Sequence, residues 1–181
     1  MVVDLNTGIG VSVLTDSYKA GADAANKAIK NLGQKKADVL MVFAAPKFKQ
    51  QKMLDGISSV IKSIPMIGGT TAGEISTKGL SVNSVVVMAL NSKDIKFHVG
   101  IGRNIGKGEV NAGKALAKSV LKKESKKNAN TLVMLPDGLA GDGLAIIKGV
   151  QQILGNDFEI VGGALGDEAN FKNTYQYYNG K

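Results

Sequence analysis

In the first half of the chain the apolar positions switch between two spacings. Val39 to Ala45 (VLMVFAA) run without interruption, the mark of a strand buried on both faces. Met53, Leu54, Ile57, Val60 and Ile61 instead recur three and four apart, which predicts a helix over Lys49 to Lys62. Before them, Ser17 to Leu32 reads as a helix rich in Ala (Ala20, Ala22, Ala24, Ala25, Ala28). Asp16 and Ser17 offer its N-cap and Gly33 its stop. Short apolar strands are expected at Val11 to Leu14 and at Met66 to Thr70. Ser84 to Leu90 (SVVVMAL) and Ile95 to Ile101 read as an antiparallel pair across the turn-like Asn91 to Asp94.

The second half repeats the pattern. Val110 to Lys123 reads as a helix with Leu116, Ala117, Val120 and Leu121 inward, and Thr131 to Leu135 as a buried strand. Asp142 to Leu154 reads as a helix with Leu144, Ile147, Val150 and Leu154 on one stripe, stopped by Gly155, and Ile160 to Leu165 as a strand. Laying Gly8-Ile9-Gly10 on Gly100-Ile101-Gly102 gives an offset of 92 residues, and Ala20-Gly21 on Ala112-Gly113 gives 92 again. Gly68-Gly69 falls on Gly162-Gly163 at 94. That period is too long for a solenoid and points to a duplicated unit. Strand–helix–strand units of this length imply parallel pairing with right-handed crossovers. The expected fold is therefore α/β: one domain over residues 1–181, with βαβαβ-type repeats at about 7–98 and about 99–181. These form layered, mostly parallel sheets with an antiparallel extension. Lys122 to Asn130 is read as a loop insertion, not a domain boundary. The second copy lacks a counterpart of Ser84 to Leu90, expected after Asn179-Gly180, so the expectation is either a fragment of a longer protein or a stand-alone version with an open sheet edge and self-association through it.

Charge and composition narrow the function. The formal charge is +8, yet only Arg103 among 23 basic residues is Arg, the residue preferred for bidentate phosphate and base contacts. The lysines are scattered, apart from Lys122-Lys123 and Lys126-Lys127 at an expected helix end, where cations suit the macrodipole. Nucleic acid is therefore not expected as a partner. There is no Cys and a single His, His98, which removes thiolate chemistry and most triads. No leader-like or membrane-spanning run is read, and a cytoplasmic location is expected. The Gly-rich segments fail as nucleotide motifs: Ile105 stands where GxGxxG needs its third Gly, and Gly108 where a phosphate loop needs its hydroxyl.

The ends of the strands carry the remaining chemistry, since ligands in open α/β sheets bind outside the carboxyl ends. The candidates after the first-copy strands are Lys47, Gly68, Gly69, Thr70, Thr71 and Glu74. Those of the second copy are Asp137, Gly138, Asp142, Gly162, Gly163 and Asp167. Paired glycines let backbone N–H groups approach a ligand, or simply allow tight strand-to-loop turns. The copies diverge in charge: Pro46-Lys47-Phe48-Lys49, with Lys52 a turn later, stands against Pro136-Asp137-Gly138 and Asp142. Lysines at a helix N-terminus oppose the macrodipole, and such conflicts mark functional places. A cationic and an anionic wall suit a small zwitterion such as an amino acid. The plainer readings are a solvated lysine face and Asp137 and Asp142 as turn formers. No cofactor is expected. A second possibility is a carboxylate-based, metal-assisted hydrolase using Asp137, Asp142 and Asp167. A third is a protein-interaction scaffold.

GIGVSVLTDSYKAGADAANKAI, GGTTAGEIS, SVVVMAL, LPDGLAGDG and IVGGALGDE occur in this order from Gly8 to Glu168. With this order and spacing the chain resembles the N-terminal region of FIST domain proteins, from about Gly8 to Gly180. The resemblance implies an intracellular sensory module that binds small ligands, amino acids among them, and senses rather than catalyses. It also implies a C-terminal FIST half or a signalling partner. It supplies no binding residues.

Overall fold

A computed structural model describes residues 3–33, 35–122 and 128–181. Lys123, Lys126 and Lys127 of the expected lysine cluster, the end of the helix expected to reach Lys123, and most of the expected loop insertion fall in 123–127, outside the described residues. The chain packs as two units: Met1–Phe97 with Gly166–Lys181, and His98–Leu165.

Unit 1 contains β1 (Leu5–Ser12), α1 (Ser17–Asn31), β2 (Val39–Ala44), α2 (Gln50–Val60), β3 (Met66–Thr70), β4 (Glu74–Ser76), β5 (Gly79–Ser81), β6 (Val85–Ser92) and β9 (Gln176–Tyr178). Five of these strands form one mixed sheet in the order β1-β6-β2-β3-β9, and β4 and β5 form a separate hairpin. Only β2 and β3 run parallel. The expectation of mostly parallel sheets is thus corrected. The cause is β6, which leaves the hairpin and enters between β1 and β2, antiparallel to both. β9 then adds antiparallel to β3. Its segment, which the sequence offset assigns to the second copy, packs within the first unit.

Two further expectations are corrected. Residues 95–101 form no strand: both edges of β6 are already taken, by Gly8–Ala89 and Leu40–Ala89 pairing among others. The first strand is Leu5–Ser12 rather than Val11 to Leu14. Its glycines are strand residues because α1 lies on them. A Cβ at Gly8 would stand 2.2 Å from the Ala28 carbonyl oxygen, and one at Gly10 1.9 Å from that of Ala24.

The helices form close to the predicted spans, but in the Gly143–Leu154 helix Ile146 rather than the expected Leu144 joins Val150 and Leu154 in the core, and Leu144 is exposed. The Asp16 carboxylate accepts from the Lys19 N–H at 2.8 Å, the expected N-cap of α1. Ala20, Ala24, Ala25 and Ala28 are fully buried. These small residues let α1 and α2 meet backbone to backbone. A Cβ at Gly21 would fall 2.0 Å from the Met53 carbonyl oxygen, and one at Gly56 2.1 Å from that of Tyr18. The core joins them to Leu40, Val42, Val85, Val87, Leu54 and Ile57.

The outer edge of β1 is covered by its own helix. The Asn31 side-chain amide donates to the Ile9 carbonyl at 2.7 Å, and Lys27 Nζ donates to the Val11 carbonyl at 3.0 Å.

Unit 2 contains a 3₁₀ turn (Ile105–Lys107), α3 (Glu109–Leu121), β7 (Thr131–Met134), α4 (Gly143–Leu154) and β8 (Glu159–Gly162). β7 and β8 form a parallel pair. α4 starts at Asp142, whose carboxylate accepts from the Leu144 N–H at 2.8 Å, and stops at Gly155 with φ +98. α3 and α4 also meet through glycine: a Cβ at Gly113 would lie 2.2 Å from the Ile146 carbonyl oxygen, and one at Gly149 2.1 Å from that of Val110. Ala117, Leu132, Met134, Ile146, Val150 and Leu154 make the core. β7, expected as a buried strand, is buried at Leu132 and Met134 only, and Thr131 and Val133 are exposed. No helix among the described residues is long and apolar enough to cross a membrane.

Candidate functional site

The parallel pair β2–β3 brings two strand ends together in unit 1. The Thr71 N–H donates to the Ala44 carbonyl at 3.2 Å, which joins them just past the sheet. Lys47 follows β2 on an exposed turn, its ammonium 5.3 Å from the centre of the Phe48 ring. Gln50 secures this turn, its amide donating to the carbonyls of Ala45, Pro46 and Phe48 at 3.3, 3.1 and 2.8 Å. Gln50 Oε1 in turn accepts from the buried Tyr177 hydroxyl. Burial, then the charge of Glu74 and of Tyr175, pushes Tyr177 ionisation well above the usual tyrosine range.

After β3, Thr70 is fully buried and its hydroxyl accepts from the Tyr175 N–H at 3.0 Å. Gly68 has φ +153, and a Cβ there would sit 1.8 Å from the Val42 carbonyl oxygen. The sheet itself therefore demands glycine at this position. Gly69 is buried beside it, paired with Phe43 and Gln176. Glu74 is 1% exposed and fully engaged. Its carboxylate accepts from the Thr71 hydroxyl at 2.7 Å, the Ser84 hydroxyl at 2.7 Å and the Ser84 N–H at 3.2 Å.

The returning segment lies over the same end. Gly166 and Glu168 N–H groups donate to the Thr70 and Thr71 carbonyls at 3.0 and 3.2 Å. Asp167 is 3% exposed, and its carboxylate accepts from the N–H groups of Phe171, Lys172 and Asn173 at 3.0, 2.7 and 3.1 Å. The Lys172 N–H is the main reason its carboxyl is held below the usual range. Burial works against it, and the Phe171, Asn173 and Asn170 N–H groups add to the lowering. Within this loop Glu168, Ala169 and Phe171 all take positive φ, at 56, 58 and 52°. Non-glycine residues in that region are strained, and such strain gathers at ligand clamps. Glu168 Oε1 is buried and has no hydrogen-bond partner.

In unit 2 the predicted residues follow β7 and β8. Asp137 bridges to Leu165 in parallel fashion, and its carboxylate accepts from the Leu139 N–H at 2.8 Å. Asp142 is spent on capping α4. A Cβ at Gly138 would stand 2.1 Å from the Leu165 carbonyl oxygen. Gly162, with φ +141, would place one 2.0 Å from that of Met134. Gly163 faces open space. The described residues contain no group of three or more His, Asp or Glu side chains able to hold a metal ion.

Sequence reasoning placed Asp167 but not Glu168 among the ligand-binding candidates, and passed over Gln50 and Tyr177. The run Gly166-Asp167-Glu168 was the available signal for Glu168; nothing local marks Gln50 or Tyr177, which meet across 127 positions.

The chain is of the mixed α/β class, with polar, glycine-bearing strand ends. The FIST N domain model matches residues 38–181, and the chain belongs to this family. FIST domains are in general sensory domains of signal transduction. No curated protein matches the chain.

Proposed function

We propose that this domain senses a small metabolite carrying an ammonium group, an amino acid above all, at the strand ends of unit 1. The observation that carries this reading is the buried, unpartnered Glu168 Oε1. A buried carboxylate oxygen without a partner is costly, and a ligand ammonium would supply its missing donor. The strained loop held by Asp167 keeps Glu168 in place, and Thr71 and Thr70 line the same strand end. Lys47, at the end of the adjacent parallel strand, supplies positive charge for a ligand carboxylate. Gly68, Gly69 and Glu74 act as the frame of this end. In unit 2, Asp137, Gly138, Asp142, Gly162 and Gly163 form that unit's own strand end, with Gly163 the position most open to a ligand.

We also read the two units as copies of one ancestral unit. The Gly21/Gly56 and Gly113/Gly149 helix contacts support this, each a pair of glycines against opposing backbone.

The test is a thermal-shift screen of the free amino acids, followed by calorimetry of any that bind. A ligand at about 100 times its dissociation constant adds roughly 2.7 kcal/mol of stability. The Glu168→Gln variant is expected to lose at least about tenfold in affinity, equivalent to about 1.4 kcal/mol. N-acetylated forms are expected not to bind. A screen without hits, or equal binding by Glu168→Gln, sinks the reading.

A further inference from the structure

We propose that Gln50 and Tyr177 are positioning residues that fix Lys47 for the ligand carboxylate, and so make the site select an amino acid over an amine of the same shape. The inference rests on the amino-acid reading of the strand ends and adds to it the source of selection for the carboxylate.

An exposed lysine is by itself a poor anchor, because its long side chain loses rotamer freedom when it pairs. Lys47 is exposed but restrained twice. Its ammonium lies 5.3 Å from the centre of the Phe48 ring, and Phe48 belongs to the core at 4% exposure. Its backbone lies between Pro46 and Phe48, whose carbonyls both accept from the Gln50 amide. The Ala45 carbonyl accepts from the same nitrogen, and the Phe48 N–H closes the turn onto that carbonyl at 3.4 Å.

The chemistry of these partners admits one orientation of Gln50. Carbonyl oxygens only accept, so the side-chain amide nitrogen faces Ala45, Pro46 and Phe48. Oε1 then faces Tyr177, and the buried hydroxyl of that residue donates to it.

This hydrogen bond joins the segments that carry the two charges. On one side Gln50 opens α2 and holds the turn of Lys47. On the other, Tyr177 pairs with Gly68 in β9. The chain leading into β9 is tied to the end of β3, where Tyr175 exchanges hydrogen bonds with Thr70. Before it lies the loop that Asp167 fixes and Glu168 belongs to. The β2–β3 ladder sets the spacing of the strand ends, and the Gln50–Tyr177 contact sets that of the segments beyond them. Opposite charges held at a fixed separation favour the ligand whose own charges match it.

The test is calorimetry of the protein with the protein amino acids and with the carboxamide of each, which keeps the ammonium and removes the carboxylate charge. The parent protein is expected to bind the acid at least about tenfold more tightly than the amide. Tyr177→Phe removes only the hydroxyl and is expected to bring that ratio to within about threefold. Gln50→Met is expected to do the same, and gives the reading should Tyr177→Phe not fold. Lys47→Met is expected to abolish the preference, and Tyr177→Phe added to it to change the ratio no further. A merely structural role lowers affinity for acid and amide alike; an unchanged ratio in Tyr177→Phe and Gln50→Met therefore overturns the proposal. A parent protein that does not distinguish acid from amide also overturns it, while the pairing of the ammonium with Glu168, read by Glu168→Gln, stands. If neither acids nor amides bind, this proposal and the amino-acid reading fall together.

Discussion

Ser84 donates both its hydroxyl and its N–H to one oxygen of Glu74, at 2.7 and 3.2 Å, across the turn that returns the hairpin to the sheet. The residue that opens β4 is thereby tied to the residue that leads into β6. Because β6 separates β1 from β2, this buried carboxylate helps set the order of the whole unit 1 sheet.

Glu74→Gln keeps the size of the side chain but turns one acceptor into a donor facing Thr71 or Ser84. Leaving a buried donor unsatisfied costs about 1–3 kcal/mol. Urea denaturation is expected to show a lower midpoint with an unchanged slope.

The helix crossings predict a sharp contrast among glycines. Gly56→Ala and Gly113→Ala each drive a Cβ into opposing backbone and are expected to cost about 1–3 kcal/mol. Gly163→Ala meets nothing within 4 Å and is expected to fall within about 0.5 kcal/mol of the parent protein. Denaturation midpoints of the three variants check this directly.

Asp167 makes unit 1 acid-sensitive. Its carboxyl is held below the usual value by backbone N–H groups, first that of Lys172, so the folded state binds fewer protons than the unfolded state in the acid range. Its contribution is therefore present above the ordinary aspartate value of about 3.9 and is lost as pH falls through the lower folded value. Asp167→Asn is expected to lower the melting temperature at neutral pH and to flatten its dependence below about pH 4. A parallel pair of pH profiles for parent and variant would contradict the assignment.

Tyr177 acts in the opposite direction. Its ionisation is raised by burial and then by Glu74 and Tyr175, so its contribution is present below about pH 10 and lost as pH rises towards the folded value. Tyr177→Phe removes the donor to Gln50 and is expected to cost about 1 kcal/mol. The variant is also expected to lose part of the stability change seen on strong alkalisation, as read by circular dichroism.

What could be read in advance was local. The spacing of Met53, Leu54 and Ile57, the cap at Asp16 and the run from Val39 to Ala44 each report a periodicity or a turn within a few residues. The sheet order was not legible, because it depends on which edge β6 chooses, and the pair Val85 and Ser12 meets only through the folded chain. The glycines misled in both directions. Gly8 and Gly10 precede the strand expected at Val11 to Leu14 yet lie inside β1, where the helix above leaves no room for a side chain. Gly68 and Gly162 invite a ligand yet are required by the carbonyl of the adjacent strand. Of the candidate site, the placing of Thr70, Thr71 and Glu74 at or just past the end of β3 could be anticipated. Glu168 could not, because its burial is produced by a segment that returns to β3 from far along the chain.

Lys27 and Asn31 give the unit 1 sheet a direction. By occupying the carbonyls of Val11 and Ile9 they leave the β1 side without free acceptors at these positions, so polymerisation by strand stacking is terminated there before it starts.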